Sequence, residues 1–494
     1  MDDLLSKILS FPPHPPPAVP LSDLQYDEGI SNQIETLKKI SDSKFMQQTS
    51  GGEHILDLKV IDPAVNSVSY AFILIAHLNT YFKNNSKGVD MDTLWGKLAN
   101  FLSVFDPRQM RYMGDELGHI IRKLSHIARD NRQAHLAVLP VRNALMRLDP
   151  SGSVLTSNHI ILAKLALESG AHHDALPVLD KFILYFPGSS SPPKPKYLCD
   201  MSLSPAVFLT HAFKHTAKLK YQEILEYFLW SAMAQMAAHN WDGAMHCLES
   251  VVTYPTRDGG VSRIQVEAYK KWILVGLLQE GKLLPLPKST SIAPAKAYHI
   301  MAKPYETLAQ IFENGTASRL RSEAEIGASV WSQDGNTGLI RFVLAAYQKF
   351  QIRALAQVYS KISIPEILGS TTSAETGARL PSPQACESIV QDMITYGELK
   401  ATLSNPPTGH AILTFSSSGA ALTEVQMQCE LAASTARIQA LTKEIKHTDR
   451  ILTHDKEYIK YVQKLKKAGS KANEDGQSEW QDLGDDEDIM GGTY

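Results

Sequence analysis

The chain has 494 residues, an ordinary hydrophobic share of 44% and a formal net charge of −3, from 49 basic and 52 acidic residues. That length suggests two to four domains around real cores. With no basic excess to neutralise phosphates, the bulk charge gives no hint of nucleic acid.

The opening, MDDLLSKILSFPP, lacks the basic region and long apolar run of a signal peptide. The greasiest windows, such as VSYAFILIAHL over 68–78, fall short of the ~20 residues a membrane span needs. These features place a soluble protein in the cytoplasm and nucleus. Residues 1–53 carry FPPHPPPAVP, whose prolines forbid regular helix over 12–20. The segment reads as a Pro-rich flexible N-terminal arm with one short helix around 27–40.

From 54 to 300 apolar residues recur at helical spacing: Ile120, Ile121, Leu124, Ile127, then Leu162, Leu165, Ala166, then Leu176, Leu179, Ile183. Three amphipathic segments close on proline, at Pro150, Pro187 and Pro255, separated by 37 and 68 residues. A tetratricopeptide hairpin is about 34 residues and closes the same way, so the second gap is two units. Small residues, Ala175 and Ala244, stand where paired helices must cross closely. The pattern predicts a TPR-like helical-repeat solenoid, interrupted by a Pro/Ser loop over 188–197.

From 301 to 418 the pattern changes. Residues 337–362 read as two helices with a polar break near Gln348–Gln351. Residues 363–370 form a short helix capped by Ser363, with Pro365 in its first turn. A second capped helix starts at Ser382 and Pro383. Strands over 399–404 and 410–416 flank the turn NPPTG. Helices followed by a hairpin are the order of a winged helix.

A long helix is predicted within 419–468. Leu431, Ile438, Ile445, Leu452 and Ile459 are each seven apart, while the positions three later are Ser434, Leu441, Thr448, Asp455 and Val462. One heptad position is always apolar and the other half so, which suits a bundle of dissimilar helices better than a symmetric dimer. The tail, 469–494, holds eight acids against Lys471 and is disordered by composition.

Helical repeats running into a winged helix resemble the PCI-domain family, found in the proteasome lid, the COP-nine signalosome and translation initiation factor three. VEAYKKWILVGLLQEGKLLPLPKSTS (266–291), PAKAYHIMAKPYETLAQIF (294–312) and NTGLIRFVLAAYQKFQIRALAQVYSKISI (336–364) are similar to the third-subunit family of the signalosome. The resemblance implies a PCI module over about 205–418 in a mainly α chain. It also implies a non-catalytic scaffold of the complex that removes a ubiquitin-like modifier from cullin-RING ligases. Other PCI and metalloprotease-fold subunits would be its partners. The same subunit of the lid or of the initiation factor, and a nucleic-acid-binding PCI protein of messenger RNA export, remain alternatives.

Chemistry-bearing patterns are sparse. The HxH pair of that complex's metalloprotease is absent, as are phosphate-cradling glycine loops and GxSxG. His211 and His215 have zinc-protease spacing on an expected helix, but Ala212 stands where the water-activating glutamate belongs. Glu116 with His119 lacks a second such pair, and His172-His173 sit at a helix joint, where adjacent residues point apart. Cys199, Cys247, Cys386 and Cys429 are at least 43 residues apart and read as isolated buried thiols. No catalytic residue, metal or cofactor is expected. The helix that would enter a DNA groove, about 384–397, carries no lysine or arginine. The candidate site residues are therefore interface positions: Leu403, Ile412 and Leu413 on the strands, and Leu431, Ile438, Leu441, Ile445, Leu452, Ile459 and Val462 on the terminal helix.

Overall fold

A computed structural model describes residues 2–13, 20–47, 55–57, 60–83, 90–188, 195–255, 260–404, 410–415, 424–454, 458–460 and 463. The chain is mainly α-helical with one small three-stranded sheet. It divides into two compact units, 1–357 with 365–386, and 358–364 with 387–494.

The first unit begins with a correction. The described residues of the N-terminal segment form helices Asp2–Ile8, Asp23–Lys38 and Asp42–Phe45, where only one short helix, around 27–40, was expected. Ser22 and Gln25 form a capping box that starts the second of these. Its inner face buries Tyr26, Ile30, Gln33 and Leu37. Gln33 is the lock: its Nε2 donates to the carbonyls of Lys7 and Ile8 and to Ser69 Oγ, each at 3.0 Å. A glutamine whose amide is spent on the end of a preceding helix holds that helix in place. The described prolines therefore border a joint between two docked helices.

The repeats follow as paired helices: Gly114–Asp130 with Ala134–Leu148, Ser157–Ser169 with His172–Leu179, and Tyr221–Ala237 with Trp241–Val252, which packs on Arg263–Glu280. Ala175 and Ala244 are fully buried, as close helix crossing requires. Asn240 caps its helix by accepting from the Gly243 amide, and Ser262 with Gln265 makes a capping box. Gly281 ends Arg263–Glu280 with φ +74°, and a Cβ there would sit 2.5 Å from the Phe350 ring. Glycine is needed twice over at that cap.

Two expected helices are not formed. Residues 180–187 leave Leu179 extended, with Tyr185 bridging in parallel to Val154. Phe182 to Phe186 are apolar without a break, and it is their exposure that alternates, a strand period. Residues 211–216 are a turn held against the start of Gly114–Asp130. In contrast, Thr337–Leu355 is one continuous helix, not two. The polar stretch marks no break, because Gln348 Nε2 donates to Thr371 Oγ1 and Gln351 Oε1 accepts from the Thr372 amide.

His159 and His215 make the first unit acid-sensitive. Both are buried, and burial pushes each imidazole down to about 4. His159 Nδ1 accepts from the Thr156 amide and pairs with Thr156 Oγ1. His215 donates from Nε2 to the Arg111 carbonyl at 2.8 Å. The folded state prefers the neutral ring, so unfolding takes up protons below the ordinary histidine value of about 6.5. Stability is full above that pH and falls as pH drops toward 4, by on the order of 3 kcal/mol per histidine. Urea midpoints measured from pH 7.5 to 4.5 should drop steeply below 6.5. A double variant, His159→Asn with His215→Gln, should flatten that decline.

Candidate interaction surfaces

In the second unit the strands are β1 (Lys361–Ser363), β2 (Ala401–Ser404) and β3 (Ile412–Phe415). They pair antiparallel in the order β1-β3-β2. Strand β1 has no counterpart among the expected elements; three residues are too few for alternation to register. With it, the helix–strand–helix–helix–hairpin order over 337–415 is that of a winged helix.

That order redistributes the expected strand residues. Leu413 lies on the middle strand, paired with Ile362 on one side and Leu403 on the other, and is fully buried. It is core of the sheet rather than a contact for a partner. Ile412 sits on the same middle strand, half-buried. Leu403 alone of the three occupies an outer strand, β2, where it is half-buried and the strand's second edge has no partner among the described strands.

The terminal helix runs over Glu424–His454, 31 residues, or about 46 Å. Its stripe stands open: Leu431 is 62% exposed, Ile438 63% and Ile445 59%. Leu441 and Ile459 are also exposed, and Leu452 is half-buried. Val462 lies outside the described residues. Met427, likewise exposed, extends the stripe by one turn. Its place seven before Ser434, on the second heptad position, was the available signal, missed because the repeat was counted only from Leu431. Large apolar side chains seven apart drift slowly around a straight helix, and neighbours that follow them wind with a left-handed twist.

The sequence's chemical pairs do not converge. His211 is exposed in a turn while His215 points inward to Arg111, so the zinc-protease geometry needs a helix that is not there. Glu116 Oε1 stands 3.4 Å from Lys38 Nζ. Burial beside Lys123 and Arg122 holds His119 below the usual histidine range, and the same effect, with His173 adjacent, lowers His172. Among the described residues no three His, Cys, Asp or Glu side chains cluster as a metal site. Cys199, Cys247 and Cys386 are buried free thiols, with burial pushing Cys386 up to about 11. Cys429 differs: it is exposed on the terminal helix. No described helix is long and apolar enough to cross a membrane.

A family model described as COP9 signalosome complex subunit 3, N-terminal helical repeats, matches residues 30–293. The chain belongs to the COP9 signalosome subunit 3 family. It is 34% identical to the COP9 signalosome complex subunit 3 of Emericella nidulans, over 99% of both chains. It is 36% identical to that of Neurospora crassa, over 94% of this chain and 92% of the relative. The Dictyostelium discoideum subunit 3 is 24% identical over 90% of this chain. The subunit 3 match begins inside Asp23–Lys38, consistent with an N-terminal segment that is part of the fold. The proteasome-lid and initiation-factor alternatives give way to the signalosome family.

Proposed function

We propose that the chain is a non-catalytic scaffold of the COP9 signalosome, acting in removal of the ubiquitin-like modifier from cullin-RING ligases. Its partners are other PCI-domain and metalloprotease-fold subunits; it takes no nucleic acid, membrane or small-molecule substrate. It works in the cytoplasm and nucleus. The observation that carries this reading is the exposed stripe from Leu431 to Ile459. Burying one leucine or isoleucine stabilises by about 1.5–3 kcal/mol, so a helix that leaves its apolar residues wet in its own chain is built for other chains. The outer edge of β2, with Leu403, offers main-chain groups to a neighbour's strand.

Affinity purification of the tagged full-length chain from its own cells should recover the other PCI and metalloprotease-fold subunits in stable proportion. Recovery of a solitary chain sinks the proposal. The isolated chain should leave a modified cullin intact; cleavage by the pure chain would overturn the non-catalytic assignment.

A further inference from the structure

The segment after Leu179 is an unusual surface for a helical repeat. Phe182, Leu184 and Phe186 are 49%, 46% and 44% exposed, while the intervening Ile183 and Tyr185 are half-buried. Alternation with period two places the three large side chains on one outward face of an extended strand. The face is braced from beneath. The Phe182 ring meets the His246 ring edge-on at 4.8 Å, and Phe186 meets Phe228 at 6.2 Å.

Among the described residues the main-chain bonds of this strand run along one edge. Leu184 and Tyr185 both donate to the Ser153 carbonyl, at 2.8 and 3.0 Å, and the Tyr185 carbonyl accepts from Leu155 at 3.0 Å. In a parallel bridge centred on Tyr185, its own N–H and C=O face the neighbour, and those of Phe186 face the other way. Among the described residues the Phe186 N–H and the Leu184 and Phe186 carbonyls have no main-chain partner. An open strand edge beside a row of apolar side chains is the requirement for strand addition: main-chain bonds supply affinity and alternate side chains supply selectivity.

Size decides the occupant. Three half-exposed side chains offer roughly 300 Å². A standard interface between folded proteins needs about 800 Å² per partner. A second copy of this chain is too large a body for so small a patch, whereas a peptide strand of a few residues matches it. We propose that 182–186 is a docking edge for an extended, uncharged segment of a partner protein carrying an apolar side chain at every second residue.

The test uses the full-length chain and a fluorescein-labelled short peptide in which valine alternates with serine. Its controls are a peptide of the same composition with the valines in one block, and the alternating peptide N-methylated along one edge. Anisotropy should saturate with a half-point below about 1 mM for the alternating peptide. Both controls should bind at least about tenfold more weakly. Hydrogen exchange at the Phe186 amide should slow when the alternating peptide is added. Leu184→Asp, and the milder Leu184→Ser, should abolish binding with circular dichroism unchanged, since that side chain is exposed. Absence of saturation to about 1 mM overturns the proposal. So does equal binding of the N-methylated peptide, or full binding by both Leu184 variants.

Discussion

Ending the chain at residue 420 is expected to leave a folded protein that no longer enters its complex. The described side chains of Glu424–His454 are exposed throughout, apart from half-buried Leu452. Removing them takes away little surface that the chain itself buries, so stability should change by less than about 1 kcal/mol. Assembly is another matter. Leu431, Ile438, Leu441, Ile445, Leu452 and Ile459 together represent on the order of 10 kcal/mol of transfer free energy once covered. Even after the entropy of association is subtracted, losing them should lower affinity by several orders of magnitude. A full-length variant separates the apolar seam from mere length: Leu431→Gln, Ile438→Gln and Ile445→Gln keep a good helix former at each site. Size-exclusion chromatography of the reconstituted complex should show both proteins eluting alone. Full assembly by the truncated chain would show that the seam does not carry the contact.

That seam was legible in the sequence because a seven-residue repeat survives any packing. The capped starts at Ser382 and Ser22 differ in how well they could be seen. Ser382 followed by Pro383 is a local signal, and its Oγ accepts from the Ala385 amide as expected. Ser22 follows a proline run, and composition there argued for an arm. What decided the outcome was Gln33, whose partners lie up to 36 residues away at Ser69. No window of neighbouring residues contains such a contact. The extended course of 180–187 was hidden for a related reason: Phe, Leu and Tyr serve helix and strand alike, and Val154 settles the choice from 31 positions upstream. Leu413 shows the same limit on the sheet. Its pattern marked a strand but not its place between two others, which depends on β1, three residues long and about fifty positions earlier.

Tyr305→Ala is expected to cost about 4 kcal/mol and Tyr305→Phe about 1–3, and the difference between them separates the work of the ring from that of the hydroxyl. The Tyr305 ring is fully buried and meets Trp331 edge-on at 4.6 Å. Truncation opens a cavity that the surrounding helices refill only in part. The hydroxyl acts separately. It donates to Asp334 Oδ2 at 2.8 Å and accepts from Asn336 Nδ2 at 2.9 Å, while Lys270 Nζ holds the same aspartate at 2.7 Å. Lys270 and neighbouring hydrogen bonds keep the Asp334 carboxyl below the usual carboxylate range, so the aspartate retains a partner when the hydroxyl goes. Asn336 does not. It is fully buried, and its Oδ1 has no partner among the described residues, so Tyr305→Phe strips its amide of the bond to the hydroxyl. Adding Asn336→Leu to the Tyr305→Phe variant should recover part of the loss, because an apolar pair leaves nothing unsatisfied. Urea denaturation of the wild type, the two single variants and the double variant measures the coupling directly. If Tyr305→Phe proves neutral, the hydroxyl is not what ties helix Arg263–Glu280, through Lys270 and Asp334, to the turn that begins Thr337–Leu355.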